Sequence, residues 1–169
     1  MTPQARVQSA IEILYAVIAA ARSGGAPADR LISEWFRTRR FVGSKDRRAV
    51  RELVYGAIRA CGPVPVSGRA AMLRVAQGDA TLAALFDGSR HAPSPIEAGE
   101  PVAPDGVAPQ WLARRLADSG IAGEAALALL ARAPLDVRIN PQRADDAALA
   151  ALTDEWSAIP GLPDARRVQ

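Results

Sequence analysis

The 15 residues from Arg37 to Arg51 hold the densest chemistry in this chain: Arg37, Arg39, Arg40, Lys45, Arg47, Arg48 and Arg51 supply seven positive charges against one negative, Asp46. Arginine's planar fork matches the oxygens of a phosphate. The Gly43-Ser44 turn opens into a helix, whose first N–H groups add a further phosphate-compatible feature. By helical spacing Arg48, Glu52, Tyr55 and Arg59 share the solvent side of that helix, flanked by Arg47 and Arg51, and Tyr55 offers an aromatic face to an unpaired base. This pattern suits binding to a phosphate backbone rather than bond making. The plain alternative is a solvated helix face on which Arg40 pairs with Asp46 and Arg48 with Glu52.

A catalytic constellation is not legible elsewhere. Cys61 is the single cysteine and His91 the single histidine, thirty residues apart, so an activated Cys–His pair is not expected and Cys61 reads as structural. One cysteine and one histidine also exclude an internal disulfide and a cysteine- or histidine-built metal site. There is no glycine-rich phosphate loop of either common type, so no nucleotide or dinucleotide cradle is assigned. Asp145-Asp146 reads as acids favoured at the start of a helix rather than metal ligands. Trp111 and Trp156 are expected to anchor helix packing, and His91 to lie in an exposed loop.

The elements that must position the basic segment read as helices. Val7, Ile11, Leu14 and Ile18 recur at helical spacing over residues 3–22. A second helix is expected over 29–41, capped by Asp29, with Leu31, Ile32, Trp35 and Phe36 buried. A third, over 45–61 with Ser44 as its cap, buries Val50, Leu53, Val54, Ala57 and Ile58. Shorter helices at 67–77 and 80–86 complete a bundle. Residues 87–109 hold five prolines and three glycines in 23 residues, the composition of a linker, and mark the expected domain boundary. Beyond it, helices are expected at 110–118, 122–132 and 144–155, with a lone strand at 135–140 and a turn-rich ending from Ile159. A lone strand cannot satisfy its own backbone groups. It therefore either pairs with residues beyond Gln169 or lies as an edge against the bundle. The expected fold is an all-α bundle followed by a small, incomplete α/β segment.

Composition agrees with this reading. Of 169 residues 36 are alanine, so the core is thin and helical, built around few large side chains. Residues 1–62 carry eleven basic residues against five acidic, whereas residues 63–169 carry ten against thirteen. The basic end is the N-terminal one. No apolar run approaches the ~20 residues of a membrane span, and the first helix lacks the features of a secretory signal, so a cytoplasmic protein is expected.

The segment Asp46-Arg47-Arg48-Ala49-Val50-Arg51-Glu52-Leu53-Val54-Tyr55-Gly56-Ala57-Ile58-Arg59, preceded by the helix from Arg6 to Ala21, closely resembles the RNA-binding fold of the NusB antitermination factors over roughly residues 4–86. That fold occurs free-standing and as the N-terminal domain of ribosomal RNA cytosine-C5 methyltransferases of the RsmB (Sun/Fmu) type. Pro109-Gln110-Trp111-Leu112, followed by Leu135-Asp136-Val137-Arg138-Ile139-Asn140-Pro141, resembles the segment that leads into the catalytic part of those methyltransferases. The resemblance implies three parts: an RNA-binding domain at 1–86, a linker at 87–109, and the start of the linking subdomain at 110–169. It implies a parent enzyme using S-adenosylmethionine to methylate small-subunit ribosomal RNA, with the catalytic domain outside this chain and these residues inactive alone. In that family a cysteine thiolate attacks the base and a second cysteine follows a proline. Cys61 follows an alanine in the helical region, so neither role passes to it. RNA contacts are expected at Arg37, Arg39, Arg40, Lys45, Arg47, Arg48, Arg51 and Tyr55, with no DNA and no membrane as partner, and with intramolecular contact to the catalytic domain. The alternative is a NusB-like antitermination or protein-docking module with no role in methylation.

Overall fold

The computed structural model describes residues 1–131, 133–144 and 156–168. The chain divides into a helical unit, Met1–Leu130, and a second unit, Ala131–Gln169. Among the described residues there are seven helices and three strands, mostly α with a small sheet.

Helix α1 (Pro3–Ser23) starts where its sequence says it should. The Thr2 hydroxyl accepts from the Ala5 N–H at 3.2 Å, Pro3 stands in the first turn, and Gly24 ends the helix in the left-handed conformation. It buries Val7, Ile11, Leu14 and Ile18 as its spacing predicts, and also Ala10 and Ile13. The wider buried face follows from its neighbours, because α1 packs against α2 (Ala28–Arg37), α3 (Ser44–Ala60) and α4 (Gly68–Gln77). These four helices enclose one core with Ile32, Phe36, Val50, Val54 and Met72 at its centre.

Helix α2 is shorter than the expected 29–41. The Thr38 hydroxyl donates to the Trp35 carbonyl at 3.0 Å, and the chain turns so that the Val42 N–H reaches the Arg39 carbonyl at 3.1 Å. Burial of Val42 in the core fixes this turn. Asp29 lies in the first turn of α2 rather than at its cap, which is Pro27. Ser44 is the first residue of α3 and not its cap, and Ile58 is exposed rather than buried. Helix α4 is capped by the Ser67 hydroxyl, and the Gly78-Asp79 break is itself a cap: Asp79 accepts from the Thr81 and Leu82 N–H groups of the short α5 (Ala80–Ala83).

Residues 87–109 do not form a linker. They strap across the bundle, with Pro93 and Ala103 buried. The Arg69 guanidinium donates to both oxygens of Glu100 at 2.6 and 2.7 Å and to the carbonyls of Ser94 and Pro95. Arg74 donates to the Ala103 carbonyl at 2.6 Å, and the Ala103 N–H to that of Ala70 at 3.0 Å. The division of the chain consequently falls after Leu130 and not within 87–109. Proline and glycine there exclude a helix but not packing, since the carbonyls they leave free are taken by two arginines of α4.

After the strap come α6 (Gln110–Asp118) and α7 (Glu124–Ala128), the latter shorter than expected. Trp111 is 64% exposed instead of anchoring α6. The second unit corrects the sequence reading more strongly. Its strands β1 (Leu135–Arg138), β2 (Trp156–Ile159) and β3 (Leu162–Val168) form an antiparallel sheet in the order β1-β3-β2. The ending expected to be turn-rich is thus the central strand, and the strand expected to be alone pairs with it, Leu135 opposite Val168 and Arg138 opposite Ala165. Pro160-Gly161 makes the hairpin turn, and Arg167 holds Asp136 through two hydrogen bonds at 2.7 and 2.8 Å. Trp156 belongs to a strand, not a helix. The expected helix at 144–155, with Asp145-Asp146, falls on 145–155, outside the described residues except for Ala144. No helix of the described residues is long and apolar enough to cross a membrane.

Candidate nucleic-acid interface

The basic segment runs from the last residue of α2 through the turn at 38–43 into the first two turns of α3. Its seven cations divide into two groups. Arg39, Arg47 and Arg51 are engaged within the fold. The Arg39 guanidinium lies 4.0 Å from the centre of the Trp35 ring, with one nitrogen 3.7 Å from Glu12. Arg47 donates from Nε to the Val42 carbonyl at 2.8 Å, and its guanidinium and that of Arg51 lie 5.6 and 5.3 Å from the Phe36 ring centre. Trp35 and Phe36 meet edge to face at 5.2 Å. Cation–π attraction of this kind holds planar guanidinium groups against aromatic faces.

Arg37, Arg40, Lys45 and Arg48 form the second group. All four are exposed, and among the described residues none takes part in an ion pair, a side-chain hydrogen bond or a cation–π contact. Lys45 and Arg48 stand one turn apart on the same face of α3. The one acid of the segment does not neutralise them. Asp46 accepts from the N-terminal ammonium of Met1 at 3.0 Å and from Arg6 at 2.8 Å. Those two bonds, the ammonium's first, hold its carboxyl below the usual carboxylate range. The alternative pairings Arg40–Asp46 and Arg48–Glu52 are both absent among the described residues.

The exposed aromatic of the segment is not the one expected. Tyr55 does not face solvent freely: it is half-buried and packs against the core. Phe41 instead is 79% exposed, at the tip of the turn beside Arg40. The signal in the sequence for its exposure is that Phe41 lies outside both helical stripes, between an arginine and a glycine turn.

The other candidate residues are placed away from this ridge. Cys61, at the end of α3, is buried and bridges through its backbone to Asp105 of the strap. Burial pushes its thiol up, with only Arg74 acting the other way, and a protonated thiol is a poor nucleophile. His91 is exposed in the strap with a positive φ of 68°. Among the described residues no three His, Cys, Asp or Glu side chains come together as a metal site. A concavity of about 340 Å³ lies between the C-terminal parts of α1 and α3 and the start of α6, lined by Val17, Ile18, Ile58, Pro63 and Leu112, with Arg59 its one charged residue. Among the described residues no carboxylate or imidazole lines it. No protein family, curated protein or solved structure matches the chain.

Proposed function

We propose that this chain is the RNA-capturing part of a small-subunit ribosomal RNA 5-methylcytosine methyltransferase, with phosphates held by Arg37, Arg40, Lys45 and Arg48. The observation that carries the RNA reading is the pairing pattern: four exposed cations have no partner among the described residues, while the only acid of the segment is drawn off by Met1 and Arg6. The salt-bridged alternative, with Arg40 paired to Asp46 and Arg48 to Glu52, has neither pair among the described residues. Arg39, Arg47 and Arg51 contribute by fixing the ridge, and their charge adds to its field.

The methyltransferase part rests on the resemblance of residues 109–112 and 135–141 to the family's connecting segment. S-adenosylmethionine does not fit the residues described here. The apolar concavity offers no carboxylate for a ribose, and no strand of the small sheet runs through a glycine-rich turn into a helix. Methyl transfer therefore belongs to a domain outside these residues, and no step of it is assigned to them.

The test is cross-linking of the purified chain to total bacterial RNA, followed by sequencing of what is captured. Enrichment of small-subunit ribosomal RNA, lost in Arg40→Ala/Lys45→Ala/Arg48→Ala, is the expected result. Capture of transfer or messenger RNA in its place would overturn the ribosomal assignment. No capture at all, with salt-insensitive binding of a protein partner, would favour the docking-module alternative.

A further inference from the structure

Resting on the RNA reading above, we propose that Phe41 is a stacking platform for one unpaired base, so that the RNA taken is a helix interrupted by a bulge or loop rather than a continuous duplex. Within residues 37–51, Phe41 is the only large apolar side chain left exposed. The neighbouring aromatics are already used: Trp35 is covered by Arg39, and Phe36 by Arg47 and Arg51.

Phe41 is also held in place. Val42, the next residue, is buried, its N–H bonds to the Arg39 carbonyl at 3.1 Å, and its carbonyl accepts from Arg47 at 2.8 Å. The turn is thus anchored on its C-terminal side, with the ring of Phe41 in solvent.

The surroundings decide what the ring meets. An aromatic at the centre of a protein interface sits among other apolar groups that exclude water. Phe41 directly follows Arg40 and precedes α3, whose first two turns carry Lys45 and Arg48, a setting for a π-face flanked by phosphates. Bases inside an A-form helix are stacked on each other and offer no free face, whereas a bulged or looped base does. One aromatic among four free cations thus selects for a single unpaired base beside a backbone that the cations follow.

The experiment compares two hairpins of equal length and charge, one with a continuous stem and one with a single bulged 2-aminopurine, by anisotropy and by 2-aminopurine fluorescence. The wild-type chain is expected to favour the bulged hairpin by about tenfold, within the range of one base–aromatic stack. Phe41→Ala should erase that preference while leaving affinity for the continuous stem and the melting temperature unchanged. Phe41→Trp should keep the preference and the change in fluorescence. Equal affinity of the wild-type chain for both hairpins, or a preference that survives Phe41→Ala, overturns the stacking proposal while the phosphate-binding reading stands. Binding to neither hairpin, or binding untouched by Arg40→Ala/Lys45→Ala/Arg48→Ala, overturns that reading and the proposal with it.

Discussion

Replacing Arg40, Lys45 and Arg48 together by alanine should change how RNA binding responds to salt by an amount that follows from counting partners. Four cations of the ridge, Arg37 and these three, have no intramolecular partner among the described residues. If each neutralises one phosphate, the slope of log affinity against log salt is about −2.8 to −3.6. A rise from about 50 to 200 mM salt then weakens wild-type binding about 50- to 150-fold. The triple variant keeps one such contact, with a slope of about −0.7 to −0.9 and a loss of only about threefold over the same range. The assay is fluorescence anisotropy of a labelled ribosomal RNA hairpin at five salt concentrations, with each variant's melting curve as a check. The three side chains are exposed and bond to nothing among the described residues, so the melting temperature should not move. Arg47→Ala is the contrasting control, because it strips the Val42 carbonyl and one face of Phe36 and should lower the melting temperature. A wild-type slope near zero refutes a phosphate interface. An unchanged slope in the triple variant refutes its placement on this ridge.

Two predictions concern the fold that carries the ridge. A Cβ on Gly68 would collide with the Ile11 carbonyl oxygen and lie 2.8 Å from the Tyr15 nitrogen, both rigid backbone of α1. Overpacking of about 1–3 kcal/mol therefore outweighs a propensity gain of at most about 1 kcal/mol, and Gly68→Ala should lower the melting temperature. A Cβ on Gly56, in the interior of α3, meets nothing within 4 Å, so Gly56→Ala should raise stability by about 0.5–1 kcal/mol, and thermal melts that reverse either sign refute this packing. Glu100, gripped by Arg69 and by the Glu97 N–H, has its carboxyl held down to about 2 from an ordinary 4.5. Below about pH 4.5 the unfolded chain takes up this proton before the folded one does, so the strap's contribution is full above that pH and is lost as pH falls towards 2. Glu100→Gln should lower the melting temperature at neutral pH and flatten its fall between those values; parallel wild-type and variant curves would contradict the clamp.

The helices were legible where one local rule decided them. The spacing Val7-Ile11-Leu14-Ile18 acts within a few residues and the structure follows it, with Thr2-Pro3 opening α1 and Gly24 closing it. Tertiary contacts overrode the local rule elsewhere. Ile13 lies off the stripe of α1 but is buried, because α2, α3 and α4 surround that helix on several sides. Helix propensity alone carries α2 on to Phe41. Burial of Val42 requires the turn that ends the helix early and puts Phe41 in solvent. The strap was misread for a related reason: proline and glycine report on backbone shape, whereas its attachment depends on Arg69 and Arg74, roughly thirty residues away. The sheet was half seen, since β1 alternates and β3, with Pro163 and two adjacent arginines, does not. Strand pairing is long-range, and the Pro160-Gly161 turn was its only local sign.

The same separation of local from long-range causes accounts for the ridge itself. Read as a string, its seven cations are equivalent, and the sequence assigns all of them to one task. In the fold, the aromatic pair Trp35–Phe36 at the end of α2 takes three of them, and the capture of Asp46 by Met1 and Arg6 removes the acid that would offset the rest. Guanidinium groups suit the first task because they are flat and can stack and donate at once, and a lysine in place of Arg47 could not reproduce both contacts. Holding the turn through Val42 and these stacked arginines lowers the entropy that an ordered ligand would otherwise have to remove on binding. The free cations and Phe41 are thereby presented from a backbone already fixed. On the proposed reading, a ridge built this way would distinguish ligands by the position of their charge and of one flat group, which is why its response to bulged and continuous RNA is a more informative test than its affinity for either.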